Sequence, residues 1–182
     1  MMRKTYLLLI CCLSLQVLPA QDLDLQKLVS KYRYSDTTVF VYMTALWCKP
    51  CLEKMPVLDA YFSGTDRPYK LFYLFDREDF EQSKLARIFP HIVFADKLVF
   101  MPQLFYSKAV VQVNGHKKMF SNFISAHQSF EPRIDYLETF NLSSLLIIRP
   151  NGKIIVKDAP VTKGITRAQL NDALDKILVS PK

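Results

Sequence analysis

Thr37-Thr38-Val39-Phe40-Val41-Tyr42-Met43-Thr44-Ala45-Leu46-Trp47-Cys48-Lys49-Pro50-Cys51 is the stretch on which the fold turns. Its first half is β-branched and aromatic, with apolar side chains on both parities, the pattern of a strand covered on both faces. Its second half sets two cysteines three positions apart around a proline, immediately before Leu52 to Phe62, which reads as a helix. The order is strand, cysteine pair, helix. If that helix begins at the pair, Cys48 lies at its N-terminus, where the helix dipole favours a thiolate, and Cys51 lies one turn behind it. Pro50 suits a first turn because it has no N–H to leave unpaired.

Outward from this stretch the pattern is that of a layered α/β domain. Leu23 to Tyr34 carries apolar residues at helical spacing and stops at Ser35-Asp36. Ser63 to Pro68 is a loop, Tyr69 to Phe75 a second buried strand, and Asp76 to Ile88 a helix with its acids gathered towards the start, where the dipole favours them. Leu145 to Ile148 and Lys153 to Val156 flank Arg149-Pro150-Asn151-Gly152, a hairpin signal, and Thr166 opens a last helix to Leu178. The frame is β-α-β-α, an insert over about 89–139, then β-β-α. The insert's aromatics, among them Phe100, Phe105, Tyr106, Phe120, Phe123 and Phe130, read as packing residues, with the shaping of a substrate groove as the alternative.

The 182 residues suit one domain, half of them apolar, which supplies a core and argues against disorder. Residues 1–20 read as a signal peptide: Arg3 and Lys4, an apolar run from Tyr6 to Val17, then Leu18-Pro19-Ala20. That run is shorter than the about twenty residues a bilayer span requires, so no stable membrane span is expected. The formal charge of +7 falls to +5 without Arg3 and Lys4, and the basic residues are scattered as solvated faces, which speaks against a nucleic-acid partner. With Cys11 and Cys12 removed, Cys48 and Cys51 are the cysteines left, and in an oxidising compartment they tend towards a disulfide. No metal is expected, because a structural zinc site takes four ligands and His91, His116 and His127 sit at no motif-like spacing. No cofactor is implied either.

Trp47-Cys48-Lys49-Pro50-Cys51, with Ala45-Leu46 before it and Glu53 and Pro56 after it, resembles the thioredoxin-like thiol–disulfide oxidoreductases of the TlpA/ResA type. The Ile147 to Lys153 hairpin is similar to that family's late strand pair. The resemblance implies a thioredoxin-like domain over 21–182, a central mixed sheet flanked by helices with the insert before the late hairpin. It implies an oxidoreductase that exchanges a disulfide for a dithiol with protein substrates and is served by a redox partner protein; with the leader at 1–20 the expected location is exported and periplasmic, secreted or signal-anchored being the lesser alternatives. Cys48 would be the nucleophile and Cys51 the resolving thiol, with Trp47, Lys49 and Pro50 tuning them. The family carries a cis-proline before the late strand, facing the cysteines, and counting back from the hairpin puts Ser143 or Ser144 there; Ser143 is the substrate-binding candidate. Tyr42 occupies the place of a buried acid that assists proton transfer in classical thioredoxins. The departure at Ser143, with the aromatic insert, keeps a second reading open, a thioredoxin-fold binding or chaperone-like module without redox turnover.

Overall fold

The computed structural model describes residues 21–77, 80–94, 96–101, 134–135 and 142–179. The expected leader, residues 1–20, and most of the expected insert, with His116, His127, Phe105, Tyr106, Phe120, Phe123 and Phe130, lie outside the described residues. In chain order the elements are β1 (Gln21–Asp22), α1 (Leu25–Tyr32), β2 (Thr38–Met43), α2 (Lys49–Ser63), β3 (Tyr69–Phe75), α3 (Gln82–Ile88), β4 (Leu98–Phe100), β5 (Ile134–Asp135), β6 (Ser144–Ile148), β7 (Ile154–Asp158) and α4 (Arg167–Val179).

These strands form one sheet in the order β1-β4-β3-β2-β6-β7-β5. Strand β2 pairs parallel with β3 over its whole length, Thr38 against Tyr69 through Met43 against Leu74. On its other side it runs antiparallel to β6, Val39 against Ile148 through Tyr42 against Leu145. The β6–β7 hairpin then adds an antiparallel pair, followed by α4. A parallel β-α-β unit joined edgewise to an antiparallel hairpin and a closing helix is the thioredoxin-like arrangement. Two pieces of the expected insert also enter the sheet: β4 sits between β3 and β1, and β5 pairs with β7 at the far edge.

The two-residue period of a strand divides the core in two. Val39, Val41 and Met43 face one side with Leu74, Leu146 and Ile148, covered by Leu25 and Val29 of α1. Phe40 and Tyr42 face the other with Tyr73, Leu145 and Ile147, covered by Met55 and Leu58 of α2, Leu85 of α3 and Leu170 and Leu174 of α4. Local signals set the helix starts. Asp24 accepts from Lys27 N at 2.8 Å to cap α1. Thr166 and Gln169 exchange bonds at the head of α4, Thr166 N to Gln169 Oε1 at 2.9 Å and Gln169 N to Thr166 Oγ1 at 3.3 Å, a reciprocal capping box.

One local expectation changes. The helix expected from Asp76 begins only at Gln82, and its first turn holds no acid. The reason is aromatic packing at the sheet's end: Phe80 lies 5.2 Å from Phe75 and 4.8 Å from Phe100 between ring centres. Arg77 meanwhile binds Asp22 at 2.7 Å and stacks on Phe100. The chain is thereby tied across the sheet before a helix can form. In the late hairpin, Gly152 N donates to Arg149 O at 2.8 Å, so the turn is Arg149 to Gly152 with Pro150 second, and Gly152 at φ +80° follows it in the left-handed region.

Leu58 seats α2 on the sheet and is fully buried. Leu58→Ala is expected to destabilise the protein by about 2–5 kcal/mol in urea unfolding followed by circular dichroism; a loss under about 1 kcal/mol would mean that α2 is not anchored through this residue.

Candidate functional site

The chain leaves β2 at Met43 and reaches α2 through five residues that the sheet holds closely. Thr44 N donates to Leu74 O at 3.0 Å, extending the ladder by one step, and Ala45 and Leu46 are buried. Cys48 N then closes a turn on Ala45 O at 3.0 Å. Cys48 is the N-cap of α2: its carbonyl accepts from both Cys51 N and Leu52 N at 3.0 Å, and Pro50 occupies the first turn.

Cys48 and Cys51 form a disulfide with their Cα atoms 5.2 Å apart. The two sulfurs are placed unequally. Cys48 is partly exposed, whereas Cys51 is fully buried in the cluster of Phe40, Tyr42 and Met55. Trp47 is 50% exposed, and Lys49 and Pro50 are exposed beside it. The two first-turn amides after Pro50 are already bonded to Cys48 O, so the favourable field at Cys48 Sγ is that of the helix as a whole.

Beneath the disulfide lies a polar layer. Tyr42 Oη donates to Cys51 O at 3.0 Å. Burial pushes the Tyr42 hydroxyl up to about 12, against a smaller opposing effect of its hydrogen bond with Ser143. Ser143 is itself unusual: a non-glycine residue at φ +81°. Such a conformation costs of order 1–3 kcal/mol and persists where the surroundings impose it. Here Ser143 N donates to Met43 O at 2.8 Å, Ser143 O accepts from Ala159 N at 3.0 Å, and Ser143 Oγ accepts from Lys54 Nζ at 2.6 Å. Burial holds the Lys54 ammonium below its usual range, with Asp158 opposing the shift.

All six candidates from the sequence, Trp47, Cys48, Lys49, Pro50, Cys51 and Ser143, therefore belong to one region around the head of α2. Position 143 nevertheless differs from what the resemblance implies. Proline fixes φ near −65° and has no N–H, while this position has φ +81° and uses its N–H on Met43. A proline does not fit it.

Lys54 is the residue that sequence reasoning missed. Glu53, the neighbour that carries the resemblance, is exposed to solvent. The signal was present, because Cys51, Lys54, Met55 and Leu58 follow the i, i+3, i+4, i+7 spacing of a buried stripe, and a lysine within such a stripe requires a partner. Among the described residues no group of three or more His, Cys, Asp or Glu side chains is placed to hold a metal ion.

No protein-family model and no curated protein sequence matches the chain. Among solved structures it is similar to the exposed lipoprotein thioredoxin of Streptococcus pneumoniae, at 11% identity over 81% of this chain and 89% of that one, with a TM-score of 0.43. It is also similar to StoA from Bacillus subtilis, at 12% identity over 75% and 81% of the two chains and a TM-score of 0.42. A third likeness is to the reduced N-terminal domain of PilB from N. meningitidis, at 14% identity over 84% and 89% and a TM-score of 0.40. The strand order and register, not these likenesses, carry the assignment of the fold. The fold is thioredoxin-like, with a Cys-x-x-Cys disulfide at the head of its second helix.

Because the Tyr42 hydroxyl rises from 10.0 to about 12 on folding, the native state holds its proton more tightly than the unfolded chain. Its contribution is complete below pH 10 and is lost as pH climbs to about 12, a fall of at most about 2.7 kcal/mol. Urea midpoints at pH 8 and pH 11.5 are expected to separate more for the wild type than for Tyr42→Phe; equal separations would show that Tyr42 is not buried as described.

Proposed function

We propose that the chain is an exported thiol–disulfide oxidoreductase whose Cys48–Cys51 couple exchanges electrons with protein substrates outside the cytoplasm and with a redox partner protein. The observation that carries this reading is the unequal placement of the two sulfurs at the head of α2, one within reach of solvent and one buried one turn behind. In the reducing direction, the Cys48 thiolate attacks a substrate disulfide, forming a mixed disulfide and releasing one substrate thiolate. The Cys51 thiolate then attacks Cys48 Sγ, which forms the Cys48–Cys51 disulfide and releases the second substrate thiolate. Two electrons pass from the dithiol to the substrate, and the oxidising direction is the reverse.

A stapling role explains the pair less well. Closing a loop of about four residues removes about 2 kcal/mol of unfolded-chain entropy, against about 4.7 kcal/mol for a loop of about 100 residues. Trp47 offers a flat apolar face beside Cys48, and Lys49 adds positive charge next to a thiolate. The segment 1–20 supports export, and among the described residues no helix is long and apolar enough to cross a membrane. One observation favours the binding-module reading: both backbone groups of Ser143 are engaged internally, so at that residue no free backbone group awaits a substrate strand.

Equilibration with glutathione buffers decides between the two. The couple is expected to titrate to a defined potential, between about −270 mV for a reductant and about −120 mV for an oxidant, whereas a pair that never equilibrates supports the binding module. Limited alkylation of the reduced protein at mildly acidic pH should label Cys48 first, and Cys51→Ser should accumulate mixed disulfides through Cys48; preferential labelling of Cys51 reverses the two roles. N-terminal sequencing of exported protein is expected to begin at Gln21, and recovery of an intact leader in that fraction would refute the cleavage.

A further inference from the structure

Ser143 is tied to the cysteine helix by side chains as well as to the sheet by its backbone. Its hydroxyl lies between Lys54, which donates to it at 2.6 Å, and Tyr42, whose Oη accepts from it and donates to Cys51 O at 3.0 Å. The chain of contacts thus runs from the second turn of α2 through the Ser143 turn and back to the carbonyl of the buried cysteine. Lysine is a costly residue for such a bridge, since it loses several rotamers and part of its hydration to make one bond. That bond joins the backbone bonds to Met43 and Ala159 in holding a non-glycine residue at φ +81°, a conformation that costs energy.

The location gives this restraint its meaning. Ser143 N bonds the carbonyl of Met43, the last residue of β2, so the turn stands beside the strand end from which the cysteine loop departs. That end is the C-terminal edge of the parallel β2–β3 pair, where α/β sheets bind their ligands. The turn is one side chain, Tyr42, away from the carbonyl of Cys51, so a protein disulfide, which brings backbone on both sides of each sulfur, has more to set against it than a small disulfide has.

We infer that Lys54 is a positioning residue for protein substrates, holding the Ser143 turn against the cysteine helix and so fixing the surface beside the disulfide over which a partner's backbone is laid. The inference rests on the oxidoreductase reading. Lys54 does no chemistry in it; it shapes the surface that Cys48 works from.

The test compares KM and kcat for insulin and for oxidised glutathione, using the full chain and variants checked for folding by circular dichroism. Lys54→Met is expected to raise the KM for insulin about tenfold, the loss of one hydrogen bond from a charged donor, and to raise that for oxidised glutathione by less than about threefold. Lys54→Arg keeps a cationic donor and should recover most of the loss. Ser143→Gly introduced into the Lys54→Met protein should recover it as well, because glycine takes a positive φ without support. If Lys54→Met does not fold, Ser143→Ala removes the acceptor instead and should show the same contrast between substrates. Equal rises for both substrates, no rise for insulin, or no recovery with glycine overturns the inference while leaving the oxidoreductase reading intact. A wild type inert towards both disulfides removes that reading, and this inference with it.

Discussion

The burial of β2 on both faces is the constraint from which the rest of the structure follows. Every residue from Thr38 to Met43 is buried, so the strand must be flanked by paired neighbours and covered above and below. A parallel partner, β3, requires a crossover, and α2 supplies it by packing Met55 and Leu58 onto the face lined by Phe40 and Tyr42. A helix that follows a strand in this way starts at the strand's C-terminal edge. The head of α2, and with it the disulfide, is therefore positioned by the same apolar burial that holds the sheet together. Covering the opposite face then falls to α1, through Leu25 and Val29.

Where the hydrophobic pattern is long, the sequence is a faithful guide. Strand β3 runs over Tyr69–Phe75 as read, β2 loses only Thr37, and α4 begins one residue after Thr166, which caps it. Shorter elements escape such reading because their neighbours create them. Strands β1 and β5 have two residues each and β4 has three, too few to show any period, and they are strands because β4, β7 and β3 respectively offer them ladders to join. The start of α3 was misread for a related reason. Acids at its expected first turn were a local preference, and the packing of Phe80 between Phe75 and Phe100 outweighed it.

The site divides along the same line. Cys48, Cys51 and Pro50 were legible because their chemistry is written in spacing, and the unequal exposure of the thiols follows from a helix that begins between them. The polar layer below was legible only in part. Tyr42 replaces an acid in the resemblance, but a hydroxyl held up at about 12 stays protonated at neutral pH and does not take a proton from Cys51. Its role here is that of a fixed donor to the Cys51 carbonyl, which locks the first turn of α2 to β2.

Position 143 shows why spacing alone fails at such a place. Counting from the hairpin identifies the residue that faces the cysteine helix, yet the count carries no information about backbone conformation. A proline shapes a turn by its own ring, which fixes φ near −65° whatever surrounds it. At φ +81°, Ser143 takes a shape that its own covalent structure disfavours by about 1–3 kcal/mol, and a hydrogen bond from a charged donor is worth about 1.5–3 kcal/mol. The two magnitudes are comparable, so the bond from Lys54 is of the size needed to offset the strain. The conformation of the turn is therefore held jointly by its backbone bonds to Met43 and Ala159 and by a residue 89 positions away in sequence, on the helix that carries the thiols.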